Sequence, residues 1–155
     1  MASKRDPDTP RAKAAPRPAP GADDLEVLHP EREVTIAGRQ LVMREYGFVE
    51  GLKLRPLYAP LIETLKPVLA EGELPDLEQI LDLLVQHADA LPQLMAAACD
   101  QPVEWVAGLG HEHGHNLMLV WWGVLGPFFV RSAAGQLLSE RLRAMRRAGA
   151  TSTPS

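Results

Sequence analysis

The sequence predicts a mostly α fold of the α+β class: a small N-terminal β-hairpin packed on a bundle of four to six helices. Three observations predict it. Apolar and polar residues alternate with period two on either side of Ala37-Gly38, the pattern of a half-buried hairpin. From Leu57 to Met145 the large aliphatic residues recur at three- and four-residue intervals, which places them on helix faces. Through Asp24 neither pattern is present, and the chain there carries five Pro, six Ala and nine charged residues with no large apolar side chain beyond Met1. Residues 1–24 therefore read as a disordered arm, because that composition buries too little apolar area to offset the entropy of ordering it. Residues 25–148 read as a single helical domain carrying the hairpin, and 149–155 as a frayed tail.

Taken in order, the hairpin comes first. With Ala37-Gly38 as a two-residue turn, Ile36 faces Arg39 and Val34 faces Leu41, so Val34, Ile36, Leu41 and Met43 share one face. Two strands are marginal in water, so that face must pack on the helices beyond it in the chain. Leu57, Leu61, Ile62, Leu65, Val68 and Leu69 predict a helix, in which Pro56, Pro60 and Pro67 are expected to force at least one break. Asp76, with Gln79 in the reciprocal position, caps a stronger helix lined by Leu77, Ile80, Leu81, Leu84, Ala88 and Leu91. Pro92 to Ala98 forms a short helix, and Pro102 opens another that carries Trp105 and stops near Gly108-Gly110. A His-rich loop then leads to an apolar helix starting at His115 or Asn116, running through Trp121 and Trp122 and kinked at Gly126-Pro127. The last helix, Ser132 to Arg147, sets Ala134, Leu137, Leu138, Leu142 and Met145 against Arg141, Arg143, Arg146 and Arg147.

The net charge of −4 is unevenly spread: residues 1–24 carry +1, residues 25–130 carry −9 and residues 131–155 carry +4. No Lys or Arg lies between Lys66 and Arg131, so much of the folded surface repels nucleic acid. One cysteine, Cys99, cannot form an internal disulfide, and no secretory leader pattern is seen, which points to a reducing cytoplasm. The longest apolar, Gly or Pro run is 14 residues, Leu117 to Val130. That is shorter than the roughly 20 a membrane-spanning helix needs.

One motif suggests chemistry. His111-Glu112-His113-Gly114-His115 matches H-E-x-x-H, in which two His one helical turn apart grip zinc while the Glu activates a bound water. Gly110 and Gly114 argue for a solvated loop whose imidazoles meet nearby carboxylates, and the nearest downstream carboxylate able to serve as a third ligand is Glu140. A weaker version, adventitious metal binding by His111, His113 and His115, needs no catalysis. No nucleophile system and no glycine-rich phosphate cradle is legible, and Cys99 among alanines reads as buried. The expectation is a protein with no catalytic residues and no cofactor. Five of the eight aromatics, Trp105, Trp121, Trp122, Phe128 and Phe129, are concentrated late in the chain. Adjacent Trp121 and Trp122 diverge by about 100° on a helix, so an exposed aromatic ridge is expected unless the helix is surrounded.

From about residue 30 to 131 the chain resembles the tail assembly chaperones of long-tailed bacteriophages. The resemblance rests on the stranded start Glu33 to Arg39, the acidic helices and the helix start Pro102-Val103-Glu104-Trp105-Val106. Its most specific part is the spacing of Trp122, Val124, Phe128 and Phe129, with Leu125 where such proteins commonly carry Asn. The resemblance implies a non-enzymatic protein that binds the tape measure protein in the host cell cytoplasm. There it keeps its partner soluble until the tail tube polymerises, and it is absent from the mature virion. Further partners in that reading are the tail tube protein, a frameshift-extended form of the chain and a second copy, with no nucleic acid and no membrane. The expected partner surface comprises Trp105, Trp122, Phe128 and Phe129 with Leu138, Leu142 and Met145. Two alternatives stay open: a small zinc hydrolase using His111-Glu112-x-x-His115, and a nucleic-acid or membrane-surface binder using the basic last helix.

Overall fold

Strands β1 (Glu31–Ile36) and β2 (Arg39–Arg44) pair antiparallel with Val34 opposite Leu41 and Ile36 opposite Arg39, the expected register. The computed structural model describes residues 31–151, so the arm at 1–24, the expected onset of order at Leu25 and residues 152–155 of the expected frayed tail lie outside the described residues, whereas 149–151, also expected to fray, continue the last helix. Both turn residues are left-handed, with φ of 52° at Ala37 and 79° at Gly38, as a two-residue turn matching strand twist requires. Glycine adopts this conformation freely, whereas Ala37 is strained by its Cβ. Replacing Ala37 with Asn, which tolerates that region, is expected to raise the unfolding free energy by about 0.5–1 kcal/mol in urea titrations.

Ile36, Leu41 and Met43 are buried, and the hairpin lays this face on the last helix and on a short central one. Five helices complete the fold: α1 (Phe48–Ala70), α2 (Leu77–Val85), α3 (Leu91–Cys99), α4 (Val103–Ala107) and α5 (His111–Thr151). Arg44 ties three elements together, reaching Glu50 in the first turn of α1 at 2.8 Å and Asp100 just past α3 at 2.9 Å. Asp100 itself ends α3 in the left-handed conformation, φ 56°. Beneath them the Tyr46 hydroxyl donates to the Leu94 carbonyl at 2.8 Å and accepts from Trp121 Nε1 at 3.2 Å. The phenol's buried position pushes its pKa upward, so it stays a donor throughout the neutral range.

Four expectations need correction, each for a physical reason. First, α1 runs unbroken for 23 residues through Pro56, Pro60 and Pro67. Those positions are four and seven residues apart, on one exposed stripe, so the carbonyls freed of a helical partner face water. Second, Pro127 is likewise exposed within α5, and the apolar helix and the basic helix are one continuous 41-residue element. Gly126 takes part in the packing: a Cβ there would sit 2.9 Å from Trp122 Cε2, so its absence lets the indole lie on the helix backbone. Third, the predicted His loop is the first turn of α5, with Gly114 N–H donating to Gly110 C=O at 2.8 Å. Fourth, the Asp76–Gln79 cap is present, both bonds at 2.9 Å, but α2 stops at Val85, short of Ala88 and Leu91. Leu91 instead opens α3 with Pro92 beside it, where a missing N–H costs nothing.

By length and composition α5 could cross a membrane, its best window averaging a mean hydropathy of 1.4. Part of its apolar surface is committed to the core: Trp121, Val124, Leu125, Phe129 and Ala133 are wholly buried among the hairpin and the other helices, and 39% of that window is buried in all.

Candidate functional site

Because α1 and α5 run side by side in the same direction, Gly51 is level with Phe128, and Lys66 is level with Gln136 and Glu140. Lys66 is buried among them, 2.6 Å from Glu140 and 3.0 Å from Glu63 on its own helix, and these partners raise its pKa. The pairing locks α1 to the middle of α5. Past this lock α1 ends at Ala70, and the chain turns back at Gly72, leaving Leu74 76% exposed over the flank of α5.

An apolar groove forms there. One end, about 480 Å³, is walled by Leu74, Pro75, Ile80, Trp122, Pro127 and Val130. The other, about 280 Å³, shares Leu74 and Val130 and continues along Leu69, Ala134, Leu137 and Leu138 to Arg141. From Trp122 to Arg141 this covers about 28 Å of helix. Beyond it residues 142–149 of α5 are all exposed, among them Leu142 at 45% and Met145 at 67%, after Leu138 at 59%. The spacing of Leu138, Leu142 and Met145 continues the stripe by two further turns.

The structure redistributes the expected aromatic ridge. Phe129 is a correction: it is fully buried, packed against Trp121 at 5.4 Å and Phe128 at 5.2 Å, and belongs to the core. The reason is that α5 is enclosed between the hairpin, α1 and α3 at this level, so consecutive aromatics find partners in several directions. Phe128 is half-buried against Tyr46 and Tyr58, away from the groove. Trp105 is half-buried on α4 under the Arg39 guanidinium, 4.5 Å from the ring centroid. Trp122 alone of the four lines the groove, its indole stacked on Phe129 at 11°. The sequence offered no sign of the opposite wall, Leu69, Leu74 and Pro75, because only the parallel course of α1 brings it to α5.

His111 and His115 share a helix face, their rings stacked 6.0 Å apart, so the H-E-x-x-H match has its helix after all. His113, two residues off, points elsewhere, so the three cannot converge. Among the described residues no three His, Cys, Asp or Glu side chains are grouped to hold a metal ion, and Glu140 is engaged by Lys66. Nor do the imidazoles meet carboxylates; both line an apolar cavity of about 370 Å³ beside Val85, Met95 and Met118. Cys99 is buried with its thiol donating to the Met95 carbonyl at 3.2 Å, and burial pushes its pKa up to about 11. A thiol so protonated is a poor nucleophile.

Residues 24–155 match the model of a family of unknown function (DUF6631). No curated protein and no solved structure matches the chain.

Proposed function

We propose that this chain, which belongs to that family of unknown function, is a non-enzymatic tail assembly chaperone that holds a phage tape measure protein soluble in the host cytoplasm. The observation that carries the reading is the apolar groove along α5, prolonged by Leu138, Leu142 and Met145, which no other described residue covers. Exposed apolar tracts of this extent mark partner sites. The resemblance supplies the partner, a long helical chain with apolar stripes, and helix-in-groove packing suits both surfaces. The acidic stretch from 67 to 130, free of Lys and Arg, would keep the complex dispersed. Tail tube protein and a frameshift-extended form of the chain are further partners on this proposal.

The test is co-expression with a phage tape measure protein. A soluble complex that survives gel filtration is expected. A tape measure protein that precipitates equally with and without the chain overturns the proposal. Stoichiometric zinc in untagged protein, lost together with a hydrolytic activity in Glu112→Gln, would favour the hydrolase reading instead.

A further inference from the structure

On the other flank of α5 lies a cleft of opposite character, about 620 Å³ in volume and lined mainly by polar side chains. Arg55 and Tyr58 reach it from α1, and Arg131, Ser132, Ser139 and Arg143 from α5. The α5 residues recur at helical spacing, so they share one face. From Arg131 to Arg143 the face extends about 18 Å along the axis.

The charge of this cleft is not cancelled internally. Arg55 and Arg143 have no ion-pair or hydrogen-bond partner among the described residues. Arg131 touches Glu45 at 3.3 Å while 60% of its own side chain stays exposed. Glu140 is the one acid on the wall, and its carboxylate is held by Lys66 at 2.6 Å. Three guanidiniums thus converge on a space that also offers two serine hydroxyls and a phenol, in a chain whose net charge is −4. Guanidiniums bind oxyanions through charge-assisted, often bidentate bonds, and hydroxyls supply the remaining donors. The floor is open as well: a Cβ built on Gly135 meets nothing within 4 Å. Glycine is a poorer helix former than alanine, so this position forgoes helix stability while keeping the cleft empty.

We propose that the cleft between α1 and α5 binds an extended, multiply charged phosphate anion, with Arg55, Arg131 and Arg143 as its charge partners. Length is part of the inference. Guanidiniums anchored about 18 Å apart on one helix, each on a flexible stem, span a chain of linked phosphates better than a single tetrahedral anion. A small anion is favoured over a nucleic acid because the acids between residues 67 and 130 would repel a long polyanion that extended beyond the cleft.

Isothermal titration of the full chain at constant ionic strength tests this with phosphate, pyrophosphate and tripolyphosphate. Affinity is expected to rise along that series to a saturable, sub-millimolar one-to-one interaction with tripolyphosphate. Arg55→Gln and Arg143→Gln should each weaken it tenfold or more. Gly135→Met, which fills the cleft and improves helix propensity, should abolish it without loss of folding. Arg146→Gln with Arg147→Gln, outside the cleft, should leave it unchanged. Heats no larger than those of sodium chloride overturn the proposal, as does binding that persists in Gly135→Met. Tighter binding of a single-stranded oligonucleotide that depends on Arg146 and Arg147 would overturn it in favour of a nucleic-acid surface.

Discussion

Phe129→Ala is expected to lower the unfolding free energy by about 3–5 kcal/mol, a large share of the total available to a domain of this size. Phe129 is wholly buried, with the rings of Tyr58, Trp121 and Phe128 within 5.6 Å of its own, centroid to centroid. Truncation would empty a site lined by other large side chains that are themselves pinned. Trp121 is held by its bond to Tyr46, and Tyr46 by its bond to Leu94, so the surroundings cannot collapse inward cheaply. Urea denaturation followed by tryptophan fluorescence reads the loss directly. Phe128→Ala is the control: the ring is half-buried and its removal opens a notch to solvent, for which about 1–2 kcal/mol is expected. A loss below about 1 kcal/mol for Phe129→Ala would mean that α5 is not enclosed as described.

That enclosure explains which parts of the molecule were legible in the sequence. The hairpin register followed from four alternating apolar residues and one turn dipeptide, all local, and the Asp76–Gln79 cap is equally local. The proline-bearing helices were misread because the cost of proline depends on where its freed carbonyl points. Pro56, Pro60, Pro67 and Pro127 all face solvent, where water replaces the missing bond. Gly114 is tolerated because one weak residue costs little once a helix of 41 residues propagates through it, and Gly110 lies just before the helix, where its carbonyl accepts from the Gly114 N–H. For the site, the stripe of Leu138, Leu142 and Met145 was legible because amphipathic spacing is a sequence property. Phe129 was not, because two adjacent aromatics 100° apart are equally consistent with a ridge and with an enclosed helix. The cleft of Arg55, Arg131 and Arg143 was invisible for a related reason. Its walls lie 76 residues apart in sequence and meet only through the parallel docking of α1 on α5.

Replacing Leu138, Leu142 and Met145 together with Gln is expected to leave folding nearly unchanged and to abolish capture of the tape measure protein. The three side chains are 45–67% exposed, so each contributes little to the core, and surface changes of this kind usually stay within about 0.5 kcal/mol. Gln matches Leu and Met closely in helix propensity, so α5 should keep its helical signal in circular dichroism. Binding responds differently, because an anchor that acts as a hot spot in an interface is worth about 2 kcal/mol, or roughly thirtyfold in affinity. Three lost anchors on one stripe would take even a tight complex out of the range that survives gel filtration. Trp122→Ala would not separate the two roles: its indole lines the groove and also stacks on Phe129, so folding and binding would fall together. The triple variant does separate them. A folded triple variant that still captures the tape measure protein removes the stripe from the interface, and one that unfolds shows the stripe to be structural.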